Sequence, residues 1–196
     1  MFNYNLLGAV MEKASGMRFH KILEMYVTDT LNLSNTVIDN PLRTIKGRSN
    51  FFDQDFVAQV VNATTLDLRY RAPSQGILSS SEDLANFGYA VLHSDLLSQE
   101  TIKTMFEPIL LFDDIPSSMA NGWLLLTDHS NNSIYGKSGS VSGDTASILV
   151  YPEHDLIIAC TTNLSSSIND MPIFEIAAEF LPKPQKNSGE EQIQDK

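Results

Sequence analysis

The segment spanning residues 135–143 places a cation, a hydroxyl and a glycine in succession, as Lys137-Ser138-Gly139. A lysine ammonium stabilises negative charge, and a serine hydroxyl donates a hydrogen bond to a carboxylate or carbonyl oxygen. A glycine in a strand leaves room for a second backbone to approach closely. Together these residue types could hold the acyl group of a substrate along the edge of a sheet.

Two other interpretations of this segment compete with that one. A phosphate-binding loop needs a glycine five residues before Gly136 and a helix after Ser138, but Asn131 stands at the first place and glycines with a β-type run follow the second. That interpretation fails on both requirements. A glycine-rich β-turn with an incidental lysine is the commoner source of such a tripeptide, so the tripeptide alone does not decide.

The second half of the chain predicts the strands that would position this segment. Short β-rich runs separated by turn residues predict an antiparallel meander over residues 123–127, 133–137, 145–151 and 156–162. Residues 156–160 are almost wholly apolar, which is typical of a central strand covered on both faces. Residues 152–155 have the length of a hairpin connection between the last two strands.

Helical periodicity predicts the elements around these strands. The predicted helices cover residues 5–15, 19–30, 80–93, 99–106 and 170–181. Gly16 is the expected C′ residue of the first helix, and Ser79 with Glu82 gives the third a capping-box pattern. The last helix carries apolar residues on one face that can lie against the sheet, namely Ile173, Phe174, Ala177, Ala178 and Leu181. Residues 35–76 are irregular, with marginal strands at 51–52 and 57–61.

Composition excludes several classes of partner and site. A formal net charge of −11, with lysines and arginines scattered singly, argues against a nucleic-acid partner. No apolar stretch has the length of a membrane-spanning helix, and none of the four histidines has metal-ligand spacing, so we expect neither a membrane span nor a metal site. Cys160 is the only cysteine and lies in an apolar run, which indicates a buried small side chain. No cofactor is implied.

Three further blocks accompany the tripeptide. Residues 3–16 resemble the helix that follows a Tyr-x-Asn motif, residues 72–88 resemble a glycine-rich loop with its following helix, and residues 151–158 with Thr162-Asn163 resemble a last hairpin. In this order and at about this spacing, the blocks resemble the β-lactamase and penicillin-binding-protein family of serine hydrolases. Residues 48–52 add a weaker likeness to its mitochondrial β-lactamase-like branch and bacterial relatives of that branch.

The resemblance implies an α+β fold, with the C-terminal antiparallel sheet of a β-lactamase/transpeptidase-like domain flanked by helices. It also implies an acyl-serine mechanism on a small-molecule or peptide substrate. In that mechanism Lys137 would supply positive charge beside a catalytic tyrosine, and Ser138 would hydrogen-bond the substrate. Gly139 would let the substrate backbone approach, and the backbone N–H of Ser140 would donate to the oxyanion.

The sequence departs from the family pattern in ways that shape the expected function. No serine is followed three residues later by lysine, no tyrosine is followed two residues later by asparagine, and Met1 falls where that asparagine belongs. Lys137 stands where this branch more often has histidine, and Ser74-Gln75-Gly76 replaces a run of glycines. We therefore expect the C-terminal part of a hydrolase domain over residues 1–181, inactive alone, or else a non-catalytic binding module.

Two expectations concern the ends of the chain and its location. Residues 182–196 carry two prolines and one large apolar residue, which predicts a disordered tail. The start at Met1 suggests a chain cut within a domain, because it runs straight into a helical pattern. The sequence leaves the location unknown: for a bacterial protein a periplasmic or extracellular location is favoured, and for a protein of the mitochondrial branch a mitochondrial location is open.

Overall fold

The computed structural model describes residues 2–93, 96–165 and 171–182. The helices are α1 Phe2–Ser15, α2 Phe19–Leu23, α3 Ser81–His93, α4 Gln99–Phe106 and α5 Ile173–Phe180. The strands are β1 Val37–Ile38, β2 Phe52–Gln54, β3 Val60–Asn62, β4 Ile77–Leu78, β5 Leu124–Thr127, β6 Ser133–Val141, β7 Asp144–Tyr151 and β8 Leu156–Thr162. The predicted mixture of helices with antiparallel strands is confirmed.

The central sheet contains β5, β6, β7 and β8 in sequence order, all antiparallel, which confirms the predicted meander. Strand β6 runs on to Val141 instead of ending at Lys137, so it includes the whole candidate segment. Residues Pro152–His154 form a single 3₁₀ turn, and Asp155 follows with φ of 50°, which closes the predicted hairpin between β7 and β8.

Helices cover both faces of this sheet. Since side chains alternate along a strand, Ile148 and Val150 of β7 point to one face while Leu149 and Tyr151 point to the other. The first face packs under α3 and α4, and its buried cluster contains Val91, Phe106, Ala120, Trp123, Ile148 and Val150. The second packs under α5, and its buried cluster contains Ile134, Leu149, Tyr151, Ile158, Ile173 and Ala177.

Strand β8 corrects one expectation. Its apolar residues suggested a central strand, but among the described strands it lies at the edge of the sheet, beside β7 alone. The expected coverage of both faces is confirmed, because α3 packs on one face of β8 and α5 on the other. The composition of a strand therefore reports how its faces are covered, while the number of its neighbours is set by the topology.

The last helix is shorter than predicted and uses a narrower face. Ile173 and Ala177 are buried and Leu181 packs beside them, whereas Phe174 is 45% exposed and Ala178 is also exposed. The prediction that Phe174 and Ala178 face the sheet is wrong, because the helix packs on the sheet through Ile173, Ala177 and Leu181, which are spaced by four residues. The predicted start at residue 170 and the predicted tail from residue 183 onward lie outside the described residues.

The first helices differ from the sequence expectation at their ends. Helix α1 begins at Phe2, ahead of the predicted residue 5, and ends as predicted at Ser15, with Gly16 at φ of 70°. The second predicted helix is divided, because α2 gives way to a π-helical turn over Glu24–Thr28.

The start of α3 uses a different cap from the predicted one. Ser80 Oγ accepts a hydrogen bond from Asp83 N at 3.1 Å, so Ser80 caps the helix. Ser79 instead pairs with Thr36, at 2.8 Å between the hydroxyl oxygens. The buried Asp83 carboxylate accepts from Asn35 N and from Thr36 Oγ1, each at 2.8 Å. These contacts tie the irregular first half of the chain to α3.

Within the part of the chain that the structure describes, no helix has the length and apolar character needed to cross a membrane.

Candidate substrate-binding site

Strand β6 is paired on both sides over its first half and on one side over its second. The pairing with β5 ends where Leu124 stands opposite Gly136, whereas the pairing with β7 continues to Val141. From Lys137 onward, the edge of β6 that faces away from β7 has no strand partner among the described residues. An extended peptide or acyl chain can add along such an edge.

Lys137 contacts a tyrosine that lies 133 positions earlier in the chain. Its Nζ donates to Tyr4 Oη of α1 at 3.3 Å and lies 5.4 Å from the centroid of the Tyr4 ring. A phenol and an ammonium therefore adjoin at the start of the open edge. Sequence reasoning missed this role of Tyr4, since no spacing rule relates residues so far apart.

Ser138 and Gly139 are both exposed, and as successive strand residues they point to opposite faces of the sheet. The Ser138 hydroxyl lies 2.6 Å from the hydroxyl of the buried Ser147 on β7. When Ser147 is the donor of that bond, the Ser138 proton is available to a ligand oxygen. At Gly139 a Cβ would meet no atom within 4 Å, so the glycine borders open space on the face that Lys137 shares.

Ser140 is held through its side chain. Its hydroxyl lies 2.8 Å from the carbonyl oxygen of Asp144 and 3.1 Å from that of Ser165, and its one proton serves either acceptor. The buried Thr145 directs its own hydroxyl toward Ser140 Oγ at 3.2 Å and toward Leu164 O at 3.1 Å. The end of β6 is thus joined to the segment that follows β8.

Aromatic packing anchors the beginning of β6. The ring of Tyr135 stacks on that of Phe106, with centroids 3.8 Å apart and planes within 8°. Phe106 also contacts Trp123 in a tilted arrangement at 5.5 Å. Tyr135 lies two residues before Lys137 on the same strand, so both side chains point to the same face of the sheet. The aromatic packing therefore fixes the backbone from which Lys137 projects.

A cavity of about 900 Å³ lies on the face of the sheet to which Gly139 belongs. Gly139 pairs with Ala146, Ala146 pairs with Thr161, and both partners line the cavity. The other walls come from α3, from the segment before it and from the residue after β8, with polar contributions from Thr36, Arg48, Ser79, Asp83 and Asn163. The open edge of β6 therefore lies one strand away from this cavity.

The histidines and the cysteine have other contacts. His93 pairs with Asp155, and His154 Nε2 lies 2.8 Å from Asn132 Oδ1. Across the described ranges, no group of three histidine, cysteine, aspartate or glutamate side chains is arranged to hold a metal ion. Cys160 is half-buried against the cluster under α5, and this burial raises the pKa of its thiol, which keeps the thiol protonated.

Sequence comparison connects the whole arrangement to one family. The profile of the Beta-lactamase family matches residues 1–176. Serine beta-lactamase-like protein LACTB, mitochondrial, from Mus musculus is 31% identical over 98 residues, which are 50% of this chain and 18% of that protein. The Homo sapiens protein is 32% identical over 92 residues, which are 47% of this chain and 17% of that protein. The matched region is thus less than a fifth of these relatives.

Solved structures share the fold at low sequence identity. The D-stereospecific amidohydrolase from Streptomyces sp. superposes with a TM-score of 0.73 at 21% identity, over 88% of this chain and 53% of that one. The octameric penicillin-binding protein homologue from Pyrococcus abyssi gives 0.77 at 22% identity, over 90% and 41%. The penicillin binding protein from Bacillus halodurans gives 0.72 at 18% identity, over 90% and 53%. This chain spans about half the length of these structures.

Proposed function

The chain belongs to the beta-lactamase family, and we propose that it forms the substrate-binding side of an acyl-serine hydrolase that cleaves an amide, peptide or ester. The observation that carries the proposal is the half-open strand β6. It presents an ammonium, a hydroxyl and an unobstructed glycine in succession on an edge without a strand partner among the described residues.

Each residue of this edge has a role in the proposed reaction. A serine oxygen attacks the substrate carbonyl, the leaving group departs with a proton, and water then hydrolyses the acyl-serine ester. Lys137 places positive charge where protons move and where oxygen becomes negative. The Ser138 hydroxyl holds a carboxylate or carbonyl of the substrate, and Gly139 admits the substrate backbone. The backbone N–H of Ser140 donates to the oxyanion.

The nucleophile is the part of this reaction that the sequence lacks. None of its serines is followed three residues later by lysine, and none of its tyrosines is followed two residues later by asparagine. We propose that residues 1–181 are the C-terminal part of the hydrolase domain and that both motifs lie in residues outside these 196. The greater length of the structural relatives supports this arrangement.

Amides and peptides are the favoured substrates within the proposed class. The structural relatives include a D-stereospecific amidohydrolase, penicillin-binding proteins and a D-amino acid amidase from Ochrobactrum anthropi SV3. The geometry of β6 fits this class, because an extended backbone can pair with a free strand edge while its carboxylate meets Lys137 and Ser138.

Acylation and binding experiments test the proposal together. The 196-residue chain should not be acylated by a fluorescent penicillin or a fluorophosphonate, whereas N-acetyl-D-alanyl-D-alanine should bind and shift the NMR resonances of residues 137–140. Lys137→Met and Gly139→Ala should weaken binding several-fold. Lys103→Met, which removes an exposed cation from α4, is the matched control and should have no effect.

Four outcomes separate this function from its alternatives. Acylation of the isolated chain would overturn the assignment of the nucleophile to other residues. An upstream reading frame that encodes Ser-x-x-Lys and then Tyr-x-Asn would support the hydrolase. Peptide binding by a chain with no such upstream sequence would instead make the protein a non-catalytic binding module. Failure to bind the peptide would count against the role of β6 in both.

A further inference from the structure

Asp53 accepts hydrogen bonds from three donors beside the candidate site. Ser142 Oγ donates to Asp53 Oδ2 at 2.7 Å, Ser165 Oγ donates to Asp53 Oδ1, and the backbone N–H of Gly143 donates to the same carboxylate. The donors come from the turn between β6 and β7 and from the segment after β8, while Asp53 belongs to β2. One carboxylate therefore joins three segments that are distant in sequence.

This cluster continues to Ser140. The Ser165 residue whose hydroxyl donates to Asp53 offers its carbonyl oxygen to the Ser140 hydroxyl, at 3.1 Å. Thr145 contacts the same Ser140 hydroxyl at 3.2 Å and also the carbonyl oxygen of Ser165 at 3.5 Å. A change in the position of Ser165 would therefore move one of the carbonyl acceptors of the Ser140 hydroxyl, another being that of Asp144.

The hairpin of β2 and β3 is packed tightly against the turn that carries Gly143. A Cβ at Gly143 would lie 2.4 Å from the Cβ of Phe51 and 2.6 Å from that of Ala63. Hydrogen bonds also attach the start of the hairpin to the residue after β8. Phe52 N donates to Asn163 O at 3.0 Å, and Asn163 Nδ2 donates to Asn50 O at 2.9 Å. Since the hairpin is held at two places, loss of the Asp53 contacts should not detach it.

Hydrogen bonds stabilise the ionised form of the Asp53 side chain relative to the protonated form. The hydroxyl donors Ser165 and Ser142, followed by the Gly143 N–H, hold the pKa of Asp53 below its ordinary value. Asp53 is a carboxylate at neutral pH and accepts from all three donors, whereas an asparagine at this position would turn an N–H₂ group toward one of them.

We infer that Asp53 is a positioning residue that fixes the end of β6 at Ser140 through Ser142, Gly143 and Ser165. The inference rests on the proposed function, since Ser140 is the residue whose N–H would face the reacting oxygen. Asp53 itself contacts the turn and Ser165 and has no catalytic role. It acts by limiting the motion of the strand end, because a donor that is misplaced by a fraction of an ångström stabilises an oxyanion poorly.

Hydrogen exchange of the full chain tests the positioning role without a ligand. In Asp53→Asn, amide exchange over residues 140–144 should accelerate by about tenfold, as expected for the loss of about one charge-assisted hydrogen bond. The core amides of Leu149 and Val150 should keep their protection. Asp55→Asn is the matched control, because Asp55 caps its own hairpin turn through Val57 N and Gln59 N, both at 2.9 Å.

The route through the serines is tested by combining variants. If Asp53 acts through Ser142 and Ser165, then Asp53→Asn should add little to the effect of Ser142→Ala with Ser165→Ala. Unchanged exchange over residues 140–144 would overturn the inference. So would an acceleration that is equal at Leu149 and Val150, because this would indicate general destabilisation.

A ligand titration separates the inference from the proposed function. N-acetyl-D-alanyl-D-alanine should bind Asp53→Asn several-fold more weakly than it binds the wild-type chain or Asp55→Asn. Equal binding by all three would overturn the functional importance of Asp53. If the wild-type chain does not bind the peptide, the proposed function fails, while the exchange experiment still decides whether Asp53 orders the strand end.

Discussion

The sheet of β5 to β8 and the segment before α3 differ in how they are held together. The sheet has a buried apolar cluster on each face, and Val150 and Ala177 are fully buried. In the earlier segment, α1 buries Gly8 alone, and its apolar side chains remain largely exposed, among them Phe2, Leu6, Leu7 and Val10. Burial of apolar area is the main stabilising contribution to folding, and here it is concentrated in the sheet.

Polar contacts attach the earlier segment to α3 and to the sheet. Asp83 receives donors from Asn35 and Thr36, and Asp53 receives donors from the turn between β6 and β7. The Tyr4 hydroxyl accepts a hydrogen bond from Lys137 Nζ of β6. The candidate site therefore lies at the junction of a well-packed half and a polar, lightly packed half. Polar contacts specify geometry better than they add stability, which suits a site that must position a substrate.

The largest expected difference between the two halves is seen with paired leucine truncations. Leu149→Ala removes a side chain that is 2% exposed and should lower the free energy of unfolding by about 2–5 kcal/mol. Leu6→Ala, at a position that is 55% exposed, should change it by less than about 0.5 kcal/mol. Urea denaturation followed by tryptophan fluorescence measures both. Similar losses for the two variants would show that α1 is buried in solution.

The next largest effect concerns the buried ion pair of the earlier segment. Arg48 donates to both oxygens of Asp39, from Nε at 2.9 Å and from Nη2 at 2.8 Å, and both side chains are mostly buried. Arg48→Ala leaves that carboxylate without its partner and should cost about 2–3 kcal/mol. Arg69→Ala breaks an exposed pair with Asp67 and should have no measurable effect. Equal thermal shifts for both variants would contradict this ranking.

A pair of glycine variants tests the junction itself. Gly143→Ala puts a methyl group against Phe51 and Ala63 at a residue with φ of 87°, and should cost about 1–3 kcal/mol. Gly139→Ala, in the same hairpin, meets open space and should leave stability unchanged. Thermal unfolding distinguishes them. If Gly139→Ala were the more destabilising variant, the open space assigned to the candidate edge would be wrong.

The smallest effect is a pH dependence at the same turn. Burial, followed by the neighbouring charge of Asp39, raises the pKa of Asp144. A carboxyl whose pKa is raised by folding favours the native state below its unfolded pKa, and this contribution is lost as pH rises through the folded pKa. Asp144→Asn should therefore raise the melting temperature at pH 7 relative to wild type, with the gain disappearing as the pH falls below about 4. An equal gain at every pH would exclude this cause.

Sequence patterns predicted the second half of the chain well. Helix α4 and strand β8 have the predicted bounds, and the other three strands of the sheet were located within a few residues. These elements bury one or two continuous faces, so their periodicity is strong. The earlier segment was predicted poorly, because its short strands pair in two separate two-stranded sheets, β1 with β4 and β2 with β3, and bury little apolar surface. A strand that buries little apolar surface shows little hydrophobic periodicity in its sequence.

The sequence by itself was enough to identify the family and to single out the tripeptide Lys137-Ser138-Gly139, because both are recognised from residue types and their local spacing. Only the tertiary structure brought Tyr4 to Lys137 and Asp53 to the end of β6. Such contacts join residues separated by about half the chain or more. Their partners are selected by strand register and by the packing of a hairpin on a turn, and neither property leaves a local periodicity in the sequence.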